Sequence, residues 1–325
     1  MHKQHPQTAY RKYAVSIGTI FGNCDKISVN KTSSGCPGEV FAYSAPIFGR
    51  LHRMAKRLGV REMEPKRIAV VGSDARQAAA GRALARAGYR VEGAEQIALA
   101  DYILLPLPLD ETKTPLAELL RAARPGVLAL GGKLSAQAQA IAQEAGVELV
   151  DYFAREELTI RNAIPTAEGC IGILLRERTR TLFGSAVLLT GFGPVGQALG
   201  IRLAALGAQV TVAVRRPAQR AQAESFGLRS VELARLRPAA AAFDTVVNTI
   251  PAVVLTGSVL AQLRPGSLIV DLASKPGGTD FDAAVRLGHR TIHALSLPAV
   301  CAPETAGEAV AQTVCSILSE REGRG

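Results

Sequence analysis

From Lys66 onward, short apolar runs of strand length alternate with stretches that are apolar on one helical face only. The pattern predicts strands at Arg67–Val71, Tyr89–Val91, Tyr102–Leu105, Val127–Leu130 and Val147–Val150. Between them it predicts helices at Arg76–Ala87, Pro115–Ala123 and Ala136–Ala145. Such alternation means a parallel sheet covered on both faces, a doubly wound α/β domain. A second unit begins at Ser185, with strands at Ala186–Thr190, Gln209–Val214, Thr245–Asn248, Leu268–Leu272 and Thr291–Leu295 and helices at Val195–Leu206 and Ala218–Phe226. Between the units, the stretch from Asn162 to Gly169 leads into a helical run ending near Arg178 that should link them. A last helix, Glu304–Arg321, carries Ala306, Ala309, Val310, Thr313, Val314 and Ile317 on one face. That face needs a surface, and it is expected to return to the first domain.

The expected fold class is therefore α/β, two doubly wound Rossmann-like domains. The boundaries are a basic extension (1–65), a first α/β substrate domain (66–165), a nucleotide domain (166–300) and the returning helix (301–325). A chain of 325 residues is long enough for two cores. It is 48% hydrophobic but only 5% aromatic, with no Trp, so Ala, Leu, Val and Ile must build those cores.

Charge and cysteine content narrow the function classes. The net charge of +10 is concentrated, with ten Lys or Arg against four Asp or Glu in residues 1–65. The remainder is mildly basic, which a dinucleotide and an anionic substrate explain without a nucleic acid, and no nucleic-acid-binding motif is present. No apolar run approaches a membrane span, so no membrane partner is expected. Five cysteines without a C-x-x-C pair give neither a disulfide framework nor a zinc site, so no metal is expected and the cytoplasm is the default compartment. The extension has no apolar core of a signal peptide. An organelle-type leader, or an upstream start with Met54 or Met63 the true one, remain its two readings, and Pro46–Leu58 could form a short basic helix.

The most informative stretch follows the strand at Ala186–Thr190. Gly191-Phe192-Gly193-Pro194-Val195-Gly196 is a full G-x-G-x-x-G between a strand and a helix. Gly191 permits the sharp turn, Gly193 lets backbone approach a pyrophosphate, and Gly196 lets the helix pack close to the sheet. The phosphates then meet the unpaired N–H groups of the helix start. Where an NAD enzyme carries a carboxylate for the ribose hydroxyl, this chain has Arg215 and Arg216, which suit a 2′-phosphate and favour NADP. One of the two can equally be a solvated surface charge. Thr249, Ile250, Pro251 and Ala273 follow sheet strands and should border the nicotinamide ribose.

The first domain opens on a turn with a single glycine, so it presents side chains in place of a dinucleotide cradle. Asp74 and Arg76 stand where open α/β sheets place ligands.

Six motifs in order resemble the dipicolinate synthase A-subunit family over nearly all of residues 66–320. They are VVGSDARQ (70–77), NAIPTAEG (162–169), GFGPVG (191–196), NTIP (248–251), DLASKPGGTDF (271–281) and LPAVCAPETAG (297–307). The resemblance implies an arrangement like that of formate/glycerate dehydrogenases and oxidation of dihydrodipicolinate to dipicolinate, a spore component, with NADP. It also implies a flavoprotein B-subunit partner, with FMN on that partner and not on this chain. Association of several copies is left open. Residues 1–65 have no counterpart in the family, Ser73 stands for an expected Gly and Lys275 for an expected Arg.

Aromatising a dihydropyridine dicarboxylate removes a hydride and a proton, and two carboxylates need cations. Arg76 and Lys275 are the candidate cations, each against a bland reading: an ion pair with Asp74 for the first, a solvated loop lysine for the second. Asp74 and Glu168 are the acid/base candidates. Glu168 reads equally well as an early-helix carboxylate with Thr166 as the cap. His293 is expected to be packed, and Cys170 and Cys301 to be buried small residues. Two further functions stay open, a related hydroxy- or amino-acid dehydrogenase and a nucleotide-binding scaffold whose chemistry lives in its partner.

Overall fold

The computed structural model describes residues 64–107, 109 and 115–323, so all but the last two residues of the extension, with the helix expected at 46–58, lie outside the described residues. Five parallel strands form the first sheet: β1 (Arg67–Val70), β2 (Arg90–Gly93), β3 (Tyr102–Leu104), β4 (Leu128–Gly131) and β5 (Glu148–Asp151). Their order is β2-β1-β3-β4-β5. Helices α1 (Ala75–Arg86), α2 (Leu116–Arg121) and α3 (Ala136–Glu144) connect them. Leu119 and Leu120 of α2 and Ala138 and Ala142 of α3 cover one face, while α1 contributes Ala80 and Leu84 to the other.

Helix α4 (Glu156–Glu177) then carries the chain across. Its Leu158 packs in the first core, while Ala167, Cys170, Ile173 and Leu174 pack in the second. The second sheet has six parallel strands: β6 (Ala186–Thr190), β7 (Gln209–Val214), β8 (Arg229–Glu232), β9 (Thr245–Asn248), β10 (Leu268–Asp271) and β11 (Arg290–His293). Their order, β11-β10-β9-β6-β7-β8, reverses direction of travel between β6 and β9. Its helices are α5 (Pro194–Ala205), α6 (Pro217–Ser225), α7 (Leu236–Ala239), α8 (Gly257–Leu260) and α9 (Phe281–Arg286). A short helix α10 (Leu297–Cys301) leads into the long terminal helix α11 (Pro303–Glu322).

Two expectations need correction. The stretch Asn162–Gly169 does not lead into the linking helix but lies inside it, because α4 begins at Glu156 and continues through Pro165. Proline lacks an N–H and normally marks a helix boundary, which is why the sequence pattern suggested one here. Thr166 is accordingly no cap: its hydroxyl donates to the Asn162 carbonyl at 2.6 Å. Strand β8 escaped notice because RSVE offers one large apolar side chain, as an outer strand with little to bury can.

The terminal helix does return to the first sheet. Ala306, Ala309, Val310, Thr313, Val314 and Ile317 are all buried, and Ala309, Val310, Val314 and Ile317 belong to the core formed with α1. Gly307 makes the approach. A Cβ there would lie 2.3 Å from the Arg76 carbonyl oxygen and 2.7 Å from the Ala80 nitrogen, both rigid backbone. Gly307→Ala is therefore expected to destabilise the protein by about 1–3 kcal/mol through overpacking. Urea melts of this variant against Ser319→Ala, a change on the exposed face, measure it. Ion pairs Arg86–Glu308 at 2.7 Å and Arg321–Glu148 at 2.5 Å flank the buried seam. They are exposed and add little beside it. Among the described residues no helix is long and apolar enough to cross a membrane.

Candidate functional site

The reversal of strand order between β6 and β9 opens a crevice at the carboxyl ends of those strands, where doubly wound sheets bind ligands. The loop after β6 turns on Gly191, whose φ of +92° suits glycine. Gly193 then takes the N-cap position of α5 with Pro194 in the first turn. A Cβ on Gly196 would sit 2.4 Å from the Gly191 carbonyl oxygen, so this glycine closes the turn against the helix. Gly193 differs, since a Cβ there would meet nothing within 4 Å. No protein atom requires glycine at that point, and an approaching ligand would.

A cavity of about 460 Å³ occupies the crevice. Gly191, Gly193, Pro194, Val195, Gly196, Arg215, Arg216, Thr249, Ile250 and Pro251 all line it. Ala273 is not among its lining residues. Its N–H donates to Asp271 Oδ1 at 3.0 Å and its carbonyl faces His293 Nε2 at 2.8 Å, so it is buried by its own hydrogen bonds. Sequence reasoning missed Gln219 and Leu233, which also line the cavity. Gln219 was within reach, one helical turn after Arg216 on α6, but Leu233 follows the unrecognised β8. Neither Arg215 nor Arg216 enters an ion pair among the described residues, so no carboxylate competes for them.

A buried polar network holds the far wall. Asp271 is fully buried at the end of β10 and accepts four hydrogen bonds. They come from Asn248 Nδ2 at 2.9 Å, Ala273 N at 3.0 Å, Gly278 N at 2.9 Å and the Thr279 hydroxyl at 2.7 Å. Asn248 in turn accepts from the Thr190 hydroxyl at 2.6 Å and the Ile250 N–H at 3.1 Å. The network thus ties three strand ends to the loop that supplies Thr249, Ile250 and Pro251.

The first sheet has its own reversal, between β1 and β3, and the motif VVGSDARQ sits on it. Asp74 caps α1, its Oδ1 accepting from the Gln77 N–H at 2.8 Å. Gln77 is buried and donates to the carbonyls of Val71 and Leu104, bridging the two strand ends. The Arg76 guanidinium donates to the Leu107 carbonyl beyond β3. Its distance to Asp74 Oδ2 is 3.9 Å, too long for a hydrogen bond. The side chain is only 12% exposed, and its Nε is buried without a partner among the described residues.

The remaining candidates are dispersed. Glu168 is exposed on α4 and lies 3.9 Å from Arg202, eight residues along α5 from the phosphate-binding end. Lys275 is exposed in the loop anchored by Asp271. His293 is packed, stacked on Phe281 at 5.2 Å between ring centroids. Cys170 is buried, and burial pushes its thiol up to about 12. Cys301, expected to be buried, is exposed at the turn into α11, where its Sγ donates to the Pro165 carbonyl at 3.1 Å. Among the described residues no group of three His, Cys, Asp or Glu could hold a metal ion.

Residues 179–320 match the alanine dehydrogenase/PNT C-terminal domain. The crystal structure of the dipicolinate synthase A chain from Bacillus subtilis superposes with a TM-score of 0.72 at 30% identity, over 81% of this chain and 99% of that one. This chain belongs to the dipicolinate synthase A-subunit family. The dipicolinate synthase A protein of Bacillus subtilis (strain 168) is 38% identical over 189 residues, 58% of this chain and 64% of that protein, just under two thirds of its length. The D-lactate dehydrogenase of Escherichia coli, 15% identical with a TM-score of 0.55 over 79% of this chain and 97% of its own, shares the fold. The chain is thus dehydrogenase-like, and its second sheet carries a pyridine-nucleotide-binding domain.

Proposed function

We propose that this chain is the NADP-binding component of a dipicolinate synthase, oxidising dihydrodipicolinate to dipicolinate in the cytoplasm beside a flavoprotein B subunit that carries FMN. The cavity carries this reading. Its rim holds two unpaired arginines at the end of β7, where a carboxylate would select NAD. Arg215 and Arg216 would hold the 2′-phosphate, and the N-terminus of α5 with open Gly193 would take the pyrophosphate. When bound, NADP supplies the acceptor for the hydride. Arg76 takes one substrate carboxylate, and Lys275 is the other cation the sequence offers. Asp74, whose Oδ1 is committed to capping, keeps Oδ2 to receive the proton. Glu168, paired outside the crevice, is the weaker choice for that step.

The double variant Arg215→Ala, Arg216→Ala is expected to bind NADPH about tenfold to hundredfold more weakly, the loss of charge-assisted hydrogen bonds. NADH affinity should barely change, and equal weakening of both would sink the NADP assignment. Freshly generated dihydrodipicolinate and NADP, followed by NADPH and dipicolinate absorbance, test the reaction. Product from this chain alone assigns hydride transfer to it. Product only with the flavoprotein supports an obligate complex and leaves the scaffold reading open, a reading that the exposed positions of Glu168 and Lys275 favour. No product with either, despite NADPH binding, points to a related dehydrogenase.

A further inference from the structure

Arg161 is a guanidinium that the sequence did not single out. Its Nη1 is buried and has no hydrogen-bond partner among the described residues. Buried polar groups are nearly always satisfied, and a buried charge without a counter-charge costs stability. The position of this one is informative. Arg161 lies on α4 between Leu158, in the first core, and Ala167, in the second, so it stands where the chain crosses between the two sheets.

Arg161 shares a helix face with Leu158, which packs in the same core as Leu107, and the Leu107 carbonyl takes the Arg76 guanidinium. Residues i and i+4 share a helix face, and Pro165, four residues on, receives the Cys301 thiol at the turn into α11. The first turns of α11 then run along the start of α1, with Gly307 against the Arg76 carbonyl oxygen. Helices α1 and α4, which carry Arg76 and Arg161, thus both pack on α11, and each arginine has a buried guanidinium nitrogen with no partner among the described residues. The acidic side chains of that stretch of α11 are engaged elsewhere, Glu304 by Arg82 and Glu308 by Arg86. No carboxylate of the described residues pairs with Arg161.

We propose that Arg161 binds the second carboxylate of the substrate, opposite the one taken by Arg76, in preference to the exposed Lys275. This rests on the dicarboxylate reading above and names the residue that makes the site selective for two carboxylates over one. A bidentate guanidinium at each end would fix the ring as well as hold it.

The test uses the full chain loaded with NADPH and two probes, pyridine-2,6-dicarboxylate and pyridine-2-carboxylate, titrated calorimetrically. The unmodified protein should bind the dicarboxylate at least about tenfold more tightly, as one charge-assisted hydrogen bond allows. Arg161→Met should weaken the dicarboxylate about 30-fold or more and leave the monocarboxylate nearly unchanged, as expected when one member of a buried charge pair is removed. Without ligand, this variant should melt at the same temperature or higher, because a buried donor without an acceptor has gone. Arg161→Lys should recover part of the dicarboxylate affinity. Unchanged dicarboxylate binding by Arg161→Met would overturn the assignment and leave the proposed function intact. A lowered melting temperature with equal loss of both probes would mark Arg161 as structural and overturn it too. If the unmodified protein binds neither probe while holding NADPH, the dicarboxylate reading itself falls, and the role of Arg161 with it.

Discussion

Asp271→Ala is expected to lose about 4 kcal/mol or more of stability and to release the loops around the nucleotide crevice. Four donors meet at this carboxylate, and each buried donor left without an acceptor costs about 1–3 kcal/mol. Domains of this kind have a margin of only about 5–15 kcal/mol, so the loss takes a large part of it. Water entering the vacated space would recover some of it, which puts the expected loss at the low end of the sum. Asn248 would lose an anchor and with it the geometry of Ile250, so NADPH affinity should fall in the fraction that stays folded. Asp271→Asn keeps one acceptor oxygen and should lose less. Urea melts followed by circular dichroism, with NADPH titrations of each variant, measure both effects. Asp271→Ala melting within about 1 kcal/mol of the parent would show that the network positions nothing.

The nucleotide site was legible because its chemistry is local. Strand, G-x-G-x-x-G, helix and the two arginines after the next strand lie within one contiguous stretch, and each residue type has a separate steric or electrostatic reason to be there. The substrate side was less legible because its geometry is not local. Arg76 was found from its place after a strand. The engagement of its guanidinium with Leu107 depends on the order of β1 and β3, which no window of sequence contains. Arg161 went unnoticed because the linking helix was expected to follow the stretch 162–169, which left Arg161 outside it. Glu168 was chosen for its motif, but helix phase decides its direction, and α4 turns it to Arg202. The buried carboxylate of Asp271 had no sequence signal beyond a strand-end acid, since its four donors come from the loop that follows it and from a neighbouring strand.

Two glycines of one turn are expected to fail in different ways, and the difference tests whether the crevice is built for a dinucleotide. Gly196→Val places a Cβ 2.4 Å from the Gly191 carbonyl oxygen, a contact that only displacement of the turn or the helix can relieve. The melting temperature should fall, and nucleotide binding should go with it. Gly193→Val places its side chain in space that no protein atom reaches within 4 Å of the Cβ, with φ at −81°, an ordinary value for any residue. Its stability should stay within about 1 kcal/mol of the parent, the cost of valine for glycine at the N-cap of α5. NADPH affinity should nevertheless fall about 100-fold, because the side chain occupies the approach of the pyrophosphate to the N-terminus of α5. Thermal melts with and without NADPH separate the two variants. A Gly193→Val protein that bound NADPH as the parent does would move the pyrophosphate away from this turn, leaving Arg215 and Arg216 without the ligand that their position implies.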